Sequence, residues 1–273
     1  TKAVVLVHMC GAMARIDEIM EVCKKHNLIL IEDSAQALGA TYNGKAIGTF
    51  GKIGCFSFDF FKIITCGEGG AIITDDEEYW NHAHQYADHG HDHIGTNRGA
   101  EQHPILGTNY RISELNAAIG LAQVRKLDYI LERQRANKKV FEEVLGDVEG
   151  VEFRHIPDNE GDSATFFSFF LPTEEKTRAA MKGFADAGIA GTQYWYDNNF
   201  HYIKNWEHLK EMKSIAPLAV MDLGMPQDLK TLKLPKSDDV ISRLISVQIK
   251  VNLSPEETRD YVHGIKQVLE NVL

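Results

Sequence analysis

The chain has 273 residues, of which 44% are hydrophobic and 25% charged, with four cysteines and a formal net charge of −10. These proportions describe a folded globular protein and exclude a disordered, collagenous or disulfide-stapled one. Acidic side chains outnumber basic ones in both halves of the chain, so no basic stripe offers itself to nucleic acid or to an anionic membrane surface.

Residues 3–8, Ala3-Val4-Val5-Leu6-Val7-His8, form an apolar run that predicts a buried strand. Lys2 before it and Gly11-Ala12-Met13-Ala14 after it imitate a short signal peptide. His8 interrupts that run, however, and a helical pattern follows at once, so the expectation is a strand cut from a longer protein. No apolar run reaches the roughly 20 residues needed to cross a bilayer. Ile16, Ile19, Met20 and Cys23 recur at i, i+3, i+4 and i+7 and predict a helix, with Lys24-Lys25-His26 in its last turn and Asn27 as its C′ residue. Leu28-Ile29-Leu30-Ile31 predicts a second strand. Strand, helix and strand in close succession imply a βαβ unit, hence a parallel sheet covered on both faces.

Further strands are expected at 53–58 and 70–74, and a helix at 76–87. A single long helix is expected from Ile112 to about Gly146, carrying Leu115, Ile119, Ala122, Leu127, Ile130 and Leu131, with Ser113 or Asn109 at its start. Composition shifts beyond it, since Pro104 is the only proline before residue 157. Strands at 151–155 and 165–171 and helices at 174–187, 237–246 and 255–271 complete the pattern. The expected architecture is α/β, with a large domain over 1–130 and a smaller one over 131–273. Cys10, Cys23, Cys55 and Cys66 are irregularly spaced without a C-x-x-C pair, which reads as free thiols in a reducing, cytoplasmic setting.

Chemistry concentrates at strand ends. Asp33 follows an apolar strand, where open parallel sheets bind ligands and where a carboxylate needs a partner. A helix cap is the plainer alternative for it. Lys62 follows the aromatic stretch Phe56-Ser57-Phe58-Asp59-Phe60-Phe61, surroundings that desolvate an amine and free it as a nucleophile. The alternative is a lysine whose stem lies on apolar surface with its ammonium in water. Gly67-x-Gly69-Gly70 matches neither the P-loop nor the dinucleotide fingerprint.

Four motifs in order, Glu32-Asp33-x-Ala35-Gln36, Ser57-Phe58-x-x-x-Lys62, Gly67-Glu68-Gly69-Gly70 and Gly107-x-Asn109-Tyr110-Arg111-x-Ser113-Glu114-x-x-Ala117-Ala118, together resemble the DegT/DnrJ/StrS family of sugar aminotransferases. The resemblance implies a fold-type-I scaffold, its N-terminal part missing, with a mostly parallel sheet between helices, a smaller C-terminal α/β domain and pyridoxal 5′-phosphate as cofactor. It implies that Lys62 holds the cofactor as a Schiff base and then moves the proton, while Asp33 keeps the pyridine nitrogen protonated. Gln36 would lie near the phenolic oxygen, Ser57 would bond the phosphate, and Asn109 would reach the phosphate of a neighbouring subunit. A homodimer with shared active sites follows from that last role.

Related dehydratases carry histidine where this chain has Lys62, so the resemblance favours transamination from an amino acid, glutamate, to a keto or aldehyde sugar. Asp59 and the stretch 246–253 depart from the common pattern. With Thr65–Gly70 and Asp88–His93 they are similar to the branch forming 8-amino-8-deoxy-Kdo, a lipopolysaccharide sugar whose acidic precursor wants a cation from Arg111, Lys250 or Arg98. The family has roughly a hundred further residues before the first strand, which supply a phosphate-binding turn and a stacking aromatic ring.

Six of the 12 histidines fall between His82 and His103. His89-x-His91-Asp92-His93 resembles the ligand set of metallo-hydrolases, one residue short, which makes a metal-dependent hydrolase the rival function. Gly90 and Gly95 favour instead a loop at the active-site entrance. The aromatic segment 194–202 interleaves Asn198, Asn199 and His201, which suits sugar hydroxyls, and core packing is its alternative. An inactive scaffold is the third possibility, opposed by the presence of both Lys62 and Asp33.

Overall fold

A computed structural model describes residues 1–218 and 229–273. Strand β1 (Ala3–Val7), helix α1 (Ile16–Lys25) and strand β2 (Ile29–Asp33) open the chain, followed by a hairpin of β3 (Thr41–Tyr42) and β4 (Lys45–Ala46). Strands β5 (Ile53–Ser57) and β6 (Gly70–Ile73) then complete a sheet of order β1-β2-β5-β6. The β1–β2 and β2–β5 pairs are parallel, while β6 runs antiparallel to β5 as a hairpin partner.

Strand alternation sorts this sheet into two unlike faces. Val4, Leu6 and Leu30 pack with Ile16 and Cys23 of α1 in one apolar cluster. On the opposite face Val5, Val7 and Ile72 stay 62%, 50% and 56% exposed. Cover on both faces is the expectation; within the described residues α1 packs on one of them.

Helix α2 (Glu77–Ala87) begins where the Asp76 carboxylate accepts from the backbone N–H groups of Glu78 and Tyr79. The single helix expected from 112 to 146 is instead two, α3 (Glu114–Val124) and α4 (Leu127–Leu145). Ser113 caps the first, and the Lys126 N–H then turns back to the Gln123 carbonyl, an i→i+3 bond that ends the regular ladder. Spacing already holds the cause: Ala122 to Leu127 is a step of five, out of phase with 3.6 residues per turn. α4 buries Ile130, Leu131, Val140, Phe141, Val144 and Leu145, whereas α3 buries none of its residues.

The chain clusters into two compact units, one comprising 1–139, 155–166 and 249–252 and the other 140–154, 167–248 and 253–273. The second unit is built on β7 (Glu152–Phe153), β8 (Phe166–Phe170), β9 (Thr192–Gln193) and β10 (Leu244–Gln248), ordered β7-β8-β10-β9. Helices α5 (Glu174–Asp186), α6 (Glu207–Lys210), α7 (Pro235–Ile241) and α8 (Pro255–Val272) accompany it. α5 and α8 pack closely: a β-carbon on Gly183 would come within 2.6 Å of Val268. The helix expected over 237–246 ends at Ile241, and β10 follows. Ile245, Ser246 and Val247 are all buried there, and a central strand covered on both faces shows no alternation to betray it. No helix of the described residues is long and apolar enough to cross a membrane.

Candidate active site

Register places the chemistry on the uncovered face of the first sheet. Val7 pairs with Asp33 and Asp33 with Cys55, so these side chains project to one side, and Ser57 joins them two residues on. Burial pushes the Cys55 thiol up from its ordinary pKa, and the neighbouring Asp33 charge pushes it further. Asp33 ends β2, its Oδ1 accepting from the Ala35 N–H at 3.1 Å. The Ser57 Oγ accepts from the Asp59 N–H at 3.3 Å, which leaves its own proton for a ligand.

Between β5 and β6 the chain makes a loop closed by Phe58 N–H to Gly69 O at 2.8 Å and Cys66 N–H to Phe58 O at 2.9 Å. Lys62 stands in this loop, partly buried, where its N–H bonds the Asp59 carbonyl at 3.0 Å and Asp59 Oδ1 caps the Phe61 N–H at 2.8 Å. Asp59 is therefore the residue that forms the turn carrying Lys62. Of the aromatic residues before Lys62, Phe60 and Phe61 are 61% and 70% exposed and lie against each other. Gln36, just past β2, accepts the Cys10 N–H on its Oε1 at 2.9 Å.

A second constellation occupies 88–111. The chain at 107–110 is stitched to the end of α2 by an antiparallel bridge of Asp88 with Asn109 and by bonds from Thr108 and Tyr110 N–H to Tyr86 and Ala87. Gly90 and Gly107 cross so closely that a β-carbon on Gly90 would lie 2.0 Å from the Ile105 carbonyl oxygen. Asp88, 5% exposed, receives Arg98 through both oxygens, with Arg111 on Oδ1. The Arg98 hydrogen bonds, aided by Arg111 and His89 against the cost of burial, hold its carboxyl well below the usual carboxylate range. Asn109 Oδ1 accepts from the Arg111 N–H at 3.3 Å.

Asp88, His89 and His91 bring three donor atoms within 4.8 Å of one another, the one grouping among the described residues with metal-like spacing. Its carboxylate is already committed to two guanidiniums, and Arg111 Nη1 lies 3.1 Å from His89 Nδ1, so fixed positive charge stands where a cation would sit. His93 stacks on His84 at 3.9 Å, and His91 Nδ1 lies 2.9 Å from Glu101 Oε2. The segment is a loop, not a strand with three imidazoles on one face.

Each of the other residues singled out in the sequence belongs to one of the two units. Lys250 lies in the first unit, where its carbonyl accepts from the Asn137 side chain at 2.9 Å. His201 belongs to the second unit, against Asn198 Oδ1 at 3.1 Å and edge-on to Trp195. Two buried residues, His8 and Glu32, carry no role in the sequence reading, although an acidic residue inside an apolar strand signals a buried partner.

This α/β chain, with Asp33 at the end of β2 and Lys62 on the loop between β5 and β6, has the fold of the fold-type-I aminotransferases. A Helicobacter pylori aminotransferase involved in the biosynthesis of pseudoaminic acid superposes with a TM-score of 0.80 at 24% identity, over 99% of this chain and 67% of that one. The chain belongs to the DegT/DnrJ/EryC1/StrS aminotransferase family, whose model matches residues 1–266. It is similar to the GDP-perosamine synthase of Caulobacter vibrioides, 44% identical over 136 residues, which are 50% of this chain and 36% of that protein. It is also similar to the L-glutamine:2-deoxy-scyllo-inosose aminotransferase of Micromonospora echinospora, 38% identical over 152 residues, 54% of this chain and 36% of that protein. The matched stretch thus spans about a third of either curated relative. Members of the family use pyridoxal phosphate, and the donor set here fits it: a carboxylate and a hydroxyl share one sheet face, and a primary amine stands on the loop after β5.

Proposed function

We propose that this chain is the catalytic portion of a pyridoxal-phosphate sugar aminotransferase, with residues 1–130 carrying the cofactor and 131–273 forming the smaller domain. The observation that carries the proposal is the placement of Asp33 and Ser57 on the open sheet face, with Lys62 on the loop that follows. When bound, the cofactor supplies an electron sink for carbanion chemistry. Asp33 holds a proton at the ring nitrogen through its charge, and Lys62 Nζ anchors the cofactor and moves the proton between the substrate carbon and the cofactor carbon. Ser57 and Asn109 hold the phosphate, Asn109 that of the partner subunit, and the Gln36 amide faces the phenolic oxygen. Arg111, Lys250 and His201 contact substrate.

The donor is an amino acid, glutamate, and the acceptor a keto or aldehyde sugar. The departures at Asp59 and 246–253 support the 8-oxo form of Kdo, in lipopolysaccharide synthesis in the cytoplasm. A homodimer is supported by α3, which leaves Leu115, Ile119, Leu121 and Val124 at least half exposed.

The test is borohydride reduction of the pyridoxal-phosphate-loaded protein followed by peptide mapping. The expected label falls on Lys62, and Lys62→Ala loses both label and turnover while keeping its circular dichroism. Turnover retained by Lys62→Ala refutes the assignment. Glutamate and glutamine offered separately, each with oxidised Kdo or a neutral nucleotide sugar, then identify donor and acceptor.

A further inference from the structure

Beneath the open face lies a polar network that no step above uses. Glu32 is fully buried in β2, and each of its oxygens is filled from two sides. Oε1 accepts the N–H groups of Phe50 and Gly51 at 2.7 Å each, and Oε2 accepts Gly48 N–H at 2.8 Å and His8 Nε2 at 3.1 Å. Burial alone would push this carboxyl up; the bonds from His8, Gly51, Gly48 and Phe50 together outweigh it and leave the pKa below the ordinary value.

His8, also fully buried, uses both nitrogens. Its Nδ1 accepts the Ala14 N–H at 3.3 Å, which assigns the proton to Nε2, the atom that meets Glu32. His8 thereby spans both ends of the turn 8–14, while its own N–H continues the β1–β2 ladder to Asp33 O at 3.0 Å. Within that turn Cys10 is held at φ +62°, a left-handed conformation that a cysteine adopts only when its surroundings impose it. The conformation turns the Cys10 N–H to Gln36 Oε1 at 2.9 Å. Gly11 is fixed beside it, its carbonyl accepting from Ser163 Oγ at 3.1 Å.

An amide whose oxygen is taken by an N–H has a settled orientation, and its NH2 becomes the outward donor. We propose that His8 and Glu32 are positioning residues for Gln36: by holding the 8–14 turn they commit Cys10 N–H to the Gln36 oxygen, so that Gln36 presents its NH2 to the cofactor's phenolic oxygen. The inference rests on the pyridoxal phosphate reading above. A donor at that oxygen stabilises its anionic form and lowers the pH at which the cofactor–lysine linkage releases its proton.

The test titrates the visible absorbance band of the loaded protein from neutral to alkaline pH. Gln36→Leu and His8→Leu are both expected to raise the midpoint, by about one unit. His8→Gln, whose amide still donates to Glu32, keeps the midpoint of the unaltered protein. In the cofactor-free protein, amide exchange at Cys10 should quicken about tenfold in Gln36→Leu and His8→Leu, the loss of one hydrogen bond. If His8→Leu does not fold, Glu32→Gln, which keeps the shape but turns an NH2 toward the buried donors, is read on the same scale. An unmoved midpoint in His8→Leu beside a shifted one in Gln36→Leu overturns the proposal, as does an unmoved midpoint in Gln36→Leu or unchanged exchange at Cys10. An unaltered protein with no absorbance band fails at the earlier reading and takes this proposal with it.

Discussion

Asp88 shows how a single carboxylate organises a loop. With its pKa depressed by Arg98 and Arg111, it binds fewer protons folded than unfolded through the acid range. The stability it contributes is therefore fully present above the unfolded aspartate value of about 4 and drains away as pH falls through the lower folded value. Urea denaturation of Arg98→Leu against the unaltered protein should show the largest gap at neutral pH, closing below about pH 4. A gap that does not vary with pH would remove Asp88 from the explanation. Asp33 was legible as a residue because it interrupts an apolar run at a strand end, and Lys62 because of its motif. Three of the four partners of Glu32 were not legible, since they are backbone N–H groups of Gly48, Phe50 and Gly51 that no spacing rule connects to it.

Periodicity located elements wherever one face was buried and the other wet. α1 meets that condition, and its Ile16 and Cys23 are buried as spaced. It is blind at β10, where burial on both faces erases the alternation, and across 112–146 it runs two helices together over the out-of-phase step from Ala122 to Leu127. The hairpin β3–β4 carries its own signal in Asn43-Gly44, which takes positive φ at both positions, the two-residue turn that pairs such strands. α3 is apolar yet unburied, with Leu115 79% exposed. On the dimer reading, Leu115→Asp should shift the particle from dimer to monomer in analytical ultracentrifugation without lowering helix content. An unchanged sedimentation coefficient would take α3 out of the interface.

Each of the two units has its own core. In the second, Phe184 of α5 is completely buried, as are Leu269 and Ile265 of α8. Phe184→Ala should cost about 3–5 kcal/mol, the cavity term added to lost transfer energy, measurable by urea denaturation. A loss under about 1 kcal/mol would mean that the core collapses around the gap.

By itself the sequence determined the class of fold, the order of most strands and helices, and the family, because local patterning and ordered motifs are properties of neighbours along the chain. Tertiary structure alone decided that Asp33, Cys55 and Ser57 share an open face and that Asp88 gathers two arginines. It also decided that His8 meets Glu32 in the interior and that the Cys10 N–H bonds the Gln36 oxygen. Those facts depend on strand register and on bonds between residues far apart in the chain, which only the folded backbone brings within reach.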